Sequence, residues 1–168
     1  MGRKTVEYMN EHGIDGSVIH VSLEESIEAM AFTEYGRLLD VLPAKLARGE
    51  YSDMGKLMVA WTQIGESKVW RIAESAKSPD AELMGEDAPQ AELTLSNIYR
   101  ACKAIQEGAI SSPTKIRLIV VDYLQALPID AEVKQVAADA RRRLQVRNDV
   151  YRLRKMTVHL EAPILVVS

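Results

Sequence analysis

Two acidic residues stand just after short runs of apolar, β-branched residues. Asp122 ends the run Ile116–Val121, which only Arg117 interrupts, and Glu24 follows the segment Ser17–Ser22. Such runs predict strands that are covered on both faces, as in a parallel sheet. Ligands of open α/β sheets lie outside the carboxyl ends of the strands. Two carboxylates at that edge suit nucleotide hydrolysis, because one anchors a metal ion and the other polarises the attacking water.

Each acid also has an ordinary structural explanation. Many α/β domains end a core strand in a capping acid, which would account for Asp122. Glu24 could simply begin the next helix and complement its dipole. On the residues alone, both explanations stay open.

The composition places the chain among globular α/β proteins. It has 168 residues, 47% of them hydrophobic, which is enough for one domain with a substantial core. The single cysteine, Cys102, excludes a disulfide framework and suits a reducing cytosol. No apolar run is long enough to span a bilayer, and no signal peptide opens the chain. We therefore expect a cytoplasmic domain.

The charges are distributed unevenly along the chain. The net charge of −3 gives no overall basic field, but the stretch from Lys134 to Lys155 holds eight basic residues against two acidic ones. A local excess of this kind is the electrostatic footprint of a nucleic-acid contact. The alternative is a solvated basic face of a helix, which fits any single residue equally well.

Hydrophobic periodicity predicts strands that alternate with helices. The predicted strands are Ser17–Ser22, Val69–Ile72, a strand that begins at Ile116 and ends in Asp122, and Ile164–Ser168. The predicted helices cover 6–12, 23–39, 51–64, 94–107 and 131–160, the last with an interruption near Gln145. This alternation implies βαβ units, right-handed crossovers and a parallel sheet.

Two helical patterns predict parts of the core. In the 51–64 segment, Met54, Met58 and Trp61 belong to an apolar face, and core packing explains them better than a cofactor site. In the 131–160 segment the predicted buried stripe consists of Val146, Val150, Leu153 and Leu160. Cys102 lies on the apolar face of the 94–107 helix, so we expect a small buried hydrophobic residue there.

Three short motifs, in order, resemble those of the DnaB family of replicative helicases. LIVVDYLQ (118–125) resembles the Walker B motif, HVSLEES (20–26) the second signature, and APILVVS (162–168) the third strand motif. LTLSNIYRACKAI (93–105) and VRNDVYRLRKMTVHLEAP (146–163) resemble the helices that lead into two of these strands. The resemblance implies an α/β, RecA-like P-loop NTPase fold, with a parallel sheet flanked by helices, and a motor that uses ATP and Mg²⁺.

The resemblance also assigns roles to residues. It implies that Glu24 is the catalytic base, that Asp122 holds the Mg²⁺ of the nucleotide, and that Gln125 and Ser168 contribute to nucleotide binding. The family's DNA-binding loops follow the Walker B strand and line the central channel of a hexameric ring. The matching positions here are Lys134, Arg141, Arg142 and Arg143. The implied partners are single-stranded DNA and other helicase subunits.

The amino-terminal residues depart from the family pattern. A P-loop needs GxxxxGK[ST], whose backbone N–H groups cradle phosphates. Lys4 and Thr5 could be the trailing pair of a nucleotide-binding P-loop, but Arg3 stands in place of the glycine. The alternative is an ordinary basic amino terminus. We therefore expect residues 1–168 to be one RecA-like core domain, incomplete at both ends, that alone hydrolyses ATP negligibly.

Two rival functions remain at this stage. One is another RecA-like ATPase, a recombinase or a clock-type ATPase, although the DYLQ and SLE signatures argue against it. The other is a non-catalytic domain without a P-loop that binds helicase subunits or DNA.

Overall fold

A computed structural model describes residues 2–73, 93–122, 127 and 138–167, without the side chains of residues 2, 3, 138, 139 and 141. In this part of the chain, one parallel sheet contains strands β1 (Ser17–Ser22), β2 (Val69–Ile72), β3 (Ile116–Asp122) and β4 (Ile164–Val167). The strand order is β2-β1-β3-β4. The predicted parallel α/β architecture is confirmed.

The helices among these residues are α1 (Gly2–Glu11), α2 (Ile27–Leu39), α3 (Pro43–Ala47), α4 (Met54–Gly65), α5 (Leu95–Glu107) and α6 (Ala138–Leu160). Short polar side chains cap three of them. Ser26, Asp53 and Thr94 accept hydrogen bonds from backbone N–H groups three residues further on, which satisfies donors that a helix start leaves unpaired. None of these helices is long and apolar enough to cross a membrane.

The two faces of the sheet are packed very differently. Residues with odd numbers in β1 and β3, such as Ile19 and Ile119, pack with α5 and α6 in the main core. This core also holds Cys102, which is fully buried as predicted, and burial raises the pKa of its thiol to about 12. On the opposite face, Val18 packs with α1 in a much smaller cluster.

The prediction that Met54, Met58 and Trp61 pack in the core is wrong. These side chains are 61%, 68% and 70% exposed. Helix α4 packs against α2 and buries Ala60, with Leu57 and Ile64 half-buried on the same side. Positions 57, 60 and 64 form one helical stripe and positions 54, 58 and 61 another, so only the first stripe faces the protein.

The predicted interruption near Gln145 is also absent, because α6 is continuous from Ala138 to Leu160. Gln145 and Asp149 are buried within this helix, and the Gln145 amide donates to both carboxylate oxygens of Asp149 at 2.9 Å. Val150, predicted to be buried, is 51% exposed. The other predicted positions are confirmed, since Leu153 and Leu160 are buried and Val146 packs against the core, and the hydrogen-bonded pair Gln145 and Asp149 adds to this stripe.

Candidate functional site

The ends of β1 and β3 lie side by side. Ser22 is paired with Asp122 in the parallel register, and the Leu23 N–H donates to the Asp122 carbonyl at 2.7 Å. Both strands therefore end at the same edge of the sheet. This is the edge at which α/β proteins bind ligands.

Glu24 lies in the short connection between β1 and α2. The Ser22 hydroxyl accepts from the Glu25 N–H at 3.0 Å, and the Ser26 hydroxyl caps α2 by accepting from the Ala29 N–H at 3.2 Å. These bonds hold the backbone on both sides of Glu24, while its side chain remains exposed. A carboxylate in this position is accessible to water and to a ligand at the sheet edge.

Asp122 is half-buried, unlike the exposed Glu24. No group of three or more His, Cys, Asp and Glu side chains in the described part of the chain could enclose a metal ion. Mg²⁺, however, is usually bound by one or two carboxylates together with substrate phosphates and water. The oxygen donors at this edge therefore suit a magnesium ion that arrives with a nucleotide.

His20 is a polar member of this region that the sequence did not indicate. It alternates with Ser22 on β1, so it projects from the same face of the sheet. Burial lowers the pKa of His20, the Asp122 carboxylate opposes this shift, and the Arg71 guanidinium reinforces it. His20 is therefore held largely neutral at pH 7 beside the acidic strand end.

Helix α1 covers the face of the sheet that carries His20. Its Met9 packs near Val18 at the start of β1, and the Ile14 N–H donates to the Met9 carbonyl at 2.8 Å. The carboxyl end of α1 is thus joined to the start of β1, and the amino-terminal turn lies at the other end of the helix. Lys4, exposed, and Thr5, half-buried, lie in that amino-terminal turn.

Several of the predicted site residues lie outside the described part of the chain. These residues are Gln125, Lys134 and Ser168. Strand β4, which ends one residue before Ser168, also runs towards the candidate edge, because its Val167 is paired with Asp122. Arg141, Arg142 and Arg143 fall in the first turns of α6. Arg142 is half-buried and Arg143 is exposed.

Comparison with solved structures identifies the class of fold, which is that of helicase RecA-like ATPase domains. The chain is similar to a DnaB-like replicative helicase whose structure was described with its interactions with primase, at 17% identity and a TM-score of 0.59 over 96% of this chain and 33% of that one. It is also similar to the ATPase domain of a second helicase, at 18% identity and a TM-score of 0.62 over 97% of this chain and 49% of that one.

The chain therefore has the fold of a DnaB-like helicase ATPase domain and spans about a third and about half of these two chains. No protein-family model matches the sequence. No curated protein matches it either.

Proposed function

We propose that this chain is a cytoplasmic, RecA-like core domain of a DnaB-type replicative helicase, with residues 1–168 forming one incomplete domain. The intact protein would couple ATP hydrolysis to translocation on single-stranded DNA and to duplex unwinding, as a hexamer. The observation that carries the proposal is the pairing of Ser22 with Asp122 at one sheet edge, with Glu24 immediately beyond it. Two residues nearly a hundred positions apart meet where the proposed chemistry needs them.

The proposed chemistry divides the work between the two acids. Asp122 would hold Mg²⁺, and the ion would supply positive charge for the phosphoryl group during its transfer. Glu24 accepts a proton from the attacking water, which its exposed carboxylate can reach. Gln125 and Ser168 are proposed as further nucleotide contacts.

Lys4 and Thr5 are proposed to bind phosphate from the start of α1. The amino end of a helix carries a partial positive charge and unpaired N–H groups, both of which favour an anion. The Lys4 ammonium adds a full charge at this end. The position of α1 supports this role, because it packs on the face of the sheet that also carries Asp122.

Nucleotide binding tests the site directly. We expect calorimetry with Mg²⁺ and ATP to show weak binding, which Asp122→Asn reduces by about tenfold or more because the metal loses its carboxylate. Asp15→Asn is the matched control, because Asp15 is exposed and precedes β1 at the opposite edge. Equal binding by wild type and Asp122→Asn would contradict the proposed metal site.

Turnover is expected to be negligible for this chain alone, since Arg3 replaces the glycine of the phosphate cradle. Steady-state phosphate release measures it, with Glu24→Gln and Asp122→Asn as variants. ATP hydrolysis at rates typical of helicases, lost in both variants, would contradict this expectation and would show that this chain alone is catalytically active.

The DNA-binding role is proposed for Lys134 and for the arginines at the start of α6. Arg141, Arg142 and Arg143 lie near a helix amino terminus, where the dipole disfavours cations, so helix stability does not explain them. Replacing the three arginines by alanine should reduce the salt slope of single-stranded DNA binding by about 2. Fluorescence anisotropy at several salt concentrations measures the slope.

The matched control replaces three lysines elsewhere, Lys45, Lys56 and Lys115, which are exposed in the structure. It removes the same charge. If both variants lose the same amount of salt slope, the arginines contribute only through the overall charge of the protein and do not form a DNA-binding site.

A non-catalytic interaction domain is the second candidate function. The exposed side chains of Met54, Met58 and Trp61 on α4 favour it, because apolar groups clustered on a surface are typical of protein contacts. This candidate predicts no magnesium-dependent nucleotide binding, so the calorimetry separates it from the ATPase.

A further inference from the structure

A groove runs between α5 and α6 on the side of these helices that faces away from the sheet. One part of it is a cavity of about 310 Å³, lined by Leu95, Tyr99 and Arg100 of α5 and by Lys155, Met156 and His159 of α6, among others. The Arg152 guanidinium donates to the Ser96 hydroxyl at 3.1 Å and ties the two helices together beside the cavity.

The floor of the groove is apolar. Leu95 and Met156 are buried residues of the main core, and their side chains form the base on which a ligand would rest. A second depression of about 370 Å³ extends the groove along α6, where it is lined by Tyr151, Arg154 and Val158. Val158 is 72% exposed, so this apolar surface continues out to solvent.

The rim of the groove is positively charged. Arg100, Arg152, Arg154 and Lys155 line the two depressions, and no carboxylate lines either of them in the described part of the chain. Asp149 of α6 is buried and accepts from the Gln145 amide, so its carboxylate does not line the groove. A ligand that fits the groove is therefore apolar on one side and acidic on the other.

The aromatic side chains argue against a nucleic acid as that ligand. The Lys155 ammonium lies over the ring of Tyr151, 4.7 Å from its centroid. Tyr99 and His159 meet edge to face, with ring centroids 6.4 Å apart. These rings are already engaged with their neighbours, whereas binding of single strands relies on open aromatic faces on which bases stack.

We infer that the groove between α5 and α6 binds an acidic amphipathic helix of a partner protein. Apolar side chains of that helix, spaced at i, i+3 or i+4 and i+7, pack on Leu95, Met156 and Val158. Its carboxylates face Arg100, Arg154 and Lys155. The site is separate from the proposed ATPase site, since α5 and α6 pack on the face of the sheet opposite His20 and Ser22.

A designed peptide serves as the probe. It is a fluorescent helix of about 18 residues with leucine at the anchor positions and glutamate on the outer face. We expect the full chain to bind it with a Kd of about micromolar size, weakening as salt rises. No binding of this peptide, or equal binding of a version with lysine in place of glutamate, would overturn the inference.

Charge-reversal variants test whether the peptide binds in the groove. The double variant Arg154→Glu and Lys155→Glu should weaken binding of the acidic peptide by about tenfold or more. The control variant Lys45→Glu and Lys115→Glu carries the same change of charge at exposed positions away from the groove and should bind as wild type does. Equal effects of the two variants would overturn the inference, and circular dichroism checks that both are folded.

Competition with single-stranded DNA distinguishes the two classes of partner. We expect an oligonucleotide to leave the peptide bound at moderate salt and the two to bind independently. Displacement of the peptide by the oligonucleotide, lost in the Arg154→Glu and Lys155→Glu variant, would make the groove a nucleic-acid site instead.

Discussion

The two faces of the sheet have different compositions and are packed differently. One face packs Ile19, Val21, Ile119 and Val121 against α5 and α6 in the main core. The other has only a small apolar cluster around Val18, and its β1 and β3 residues become polar towards the carboxyl edge. His20, Ser22 and Asp122 are all on this second face.

This difference shows how one sheet can bury an apolar core on one face and carry polar residues on the other. Burying apolar side chains on one face contributes most of the stabilisation, roughly in proportion to the area removed from water. The polar residues of the other face would be costly inside such a core, because each would need a hydrogen-bond partner. At the carboxyl edge His20 and Asp122 are half-buried, and the buried Ser22 hydroxyl accepts from the Glu25 N–H. The predictions below compare the two faces.

The largest expected effect is on the chemistry of Cys102, which reports opening of the main core. Its thiol is fully buried and its pKa is raised from 9.0 to about 12, so the reactive thiolate is about a thousandfold rarer at neutral pH than in an exposed cysteine. We expect Ellman's reagent to modify native protein very slowly and denatured protein at once. Rapid modification of the native protein would mean that this core opens easily.

The next largest effect is the loss of stability when neighbouring residues of β3 are replaced by alanine. Ile119 is fully buried in the main core, whereas Leu118 is partly buried and faces α1. Replacing Ile119 with alanine should cost about 4 kcal/mol, and the same change at Leu118 about 2 kcal/mol, because a deeply buried site leaves a larger cavity. Urea denaturation measures both. Equal losses would show that the α1 face supports the fold as strongly as the main core.

The strands were predictable because each one contains a short run of apolar residues. Ser17–Ser22 and Val69–Ile72 have the predicted bounds, since strands of a parallel sheet that are covered on both faces need nearly continuous apolar residues. The predicted 94–107 helix also forms, and Thr94 caps α5 by accepting from the Asn97 N–H. The meeting of Ser22 with Asp122 followed from the rule that parallel strands share their carboxyl edge.

The helices show where such prediction stops. A pattern of apolar residues finds a helix but does not identify the side that has a neighbour, and α4 presents Met54, Met58 and Trp61 to solvent. In α6 the pattern favoured Val150, yet Asp149 is the buried residue because Gln145 satisfies its carboxylate. Whether a buried polar residue has a hydrogen-bond partner depends on the three-dimensional positions of its neighbours, which the apolar pattern does not give. The proximity of His20 to Asp122 also requires the register of β1 against β3.

The smallest expected effect concerns His20 and acid stability. Because the folded protein holds this pKa below its ordinary value of 6.5, the unfolded chain binds more protons between the two values. The free energy of unfolding therefore rises with pH through this window and falls when the solution is acidified below about 6.5. His20→Asn should remove this part of the pH dependence, so stability should rise less steeply with pH than it does in the wild type. Urea denaturation between pH 5 and 8, about the range in which histidine titrates, measures the difference.

The Asp122 carboxylate connects this histidine to the candidate site. It raises the pKa of His20 against the dominant effect of burial, so its removal in Asp122→Asn should lower that pKa further. The proton NMR titration of the imidazole follows His20 separately from the other two histidines of the chain, His12 and His159. Asp15→Asn, at the opposite edge, should leave the titration unchanged. An unchanged or raised pKa in Asp122→Asn would place the carboxylate too far from His20 and would break the proposed cluster at this edge, because β1 and β3 would then not bring their polar residues together.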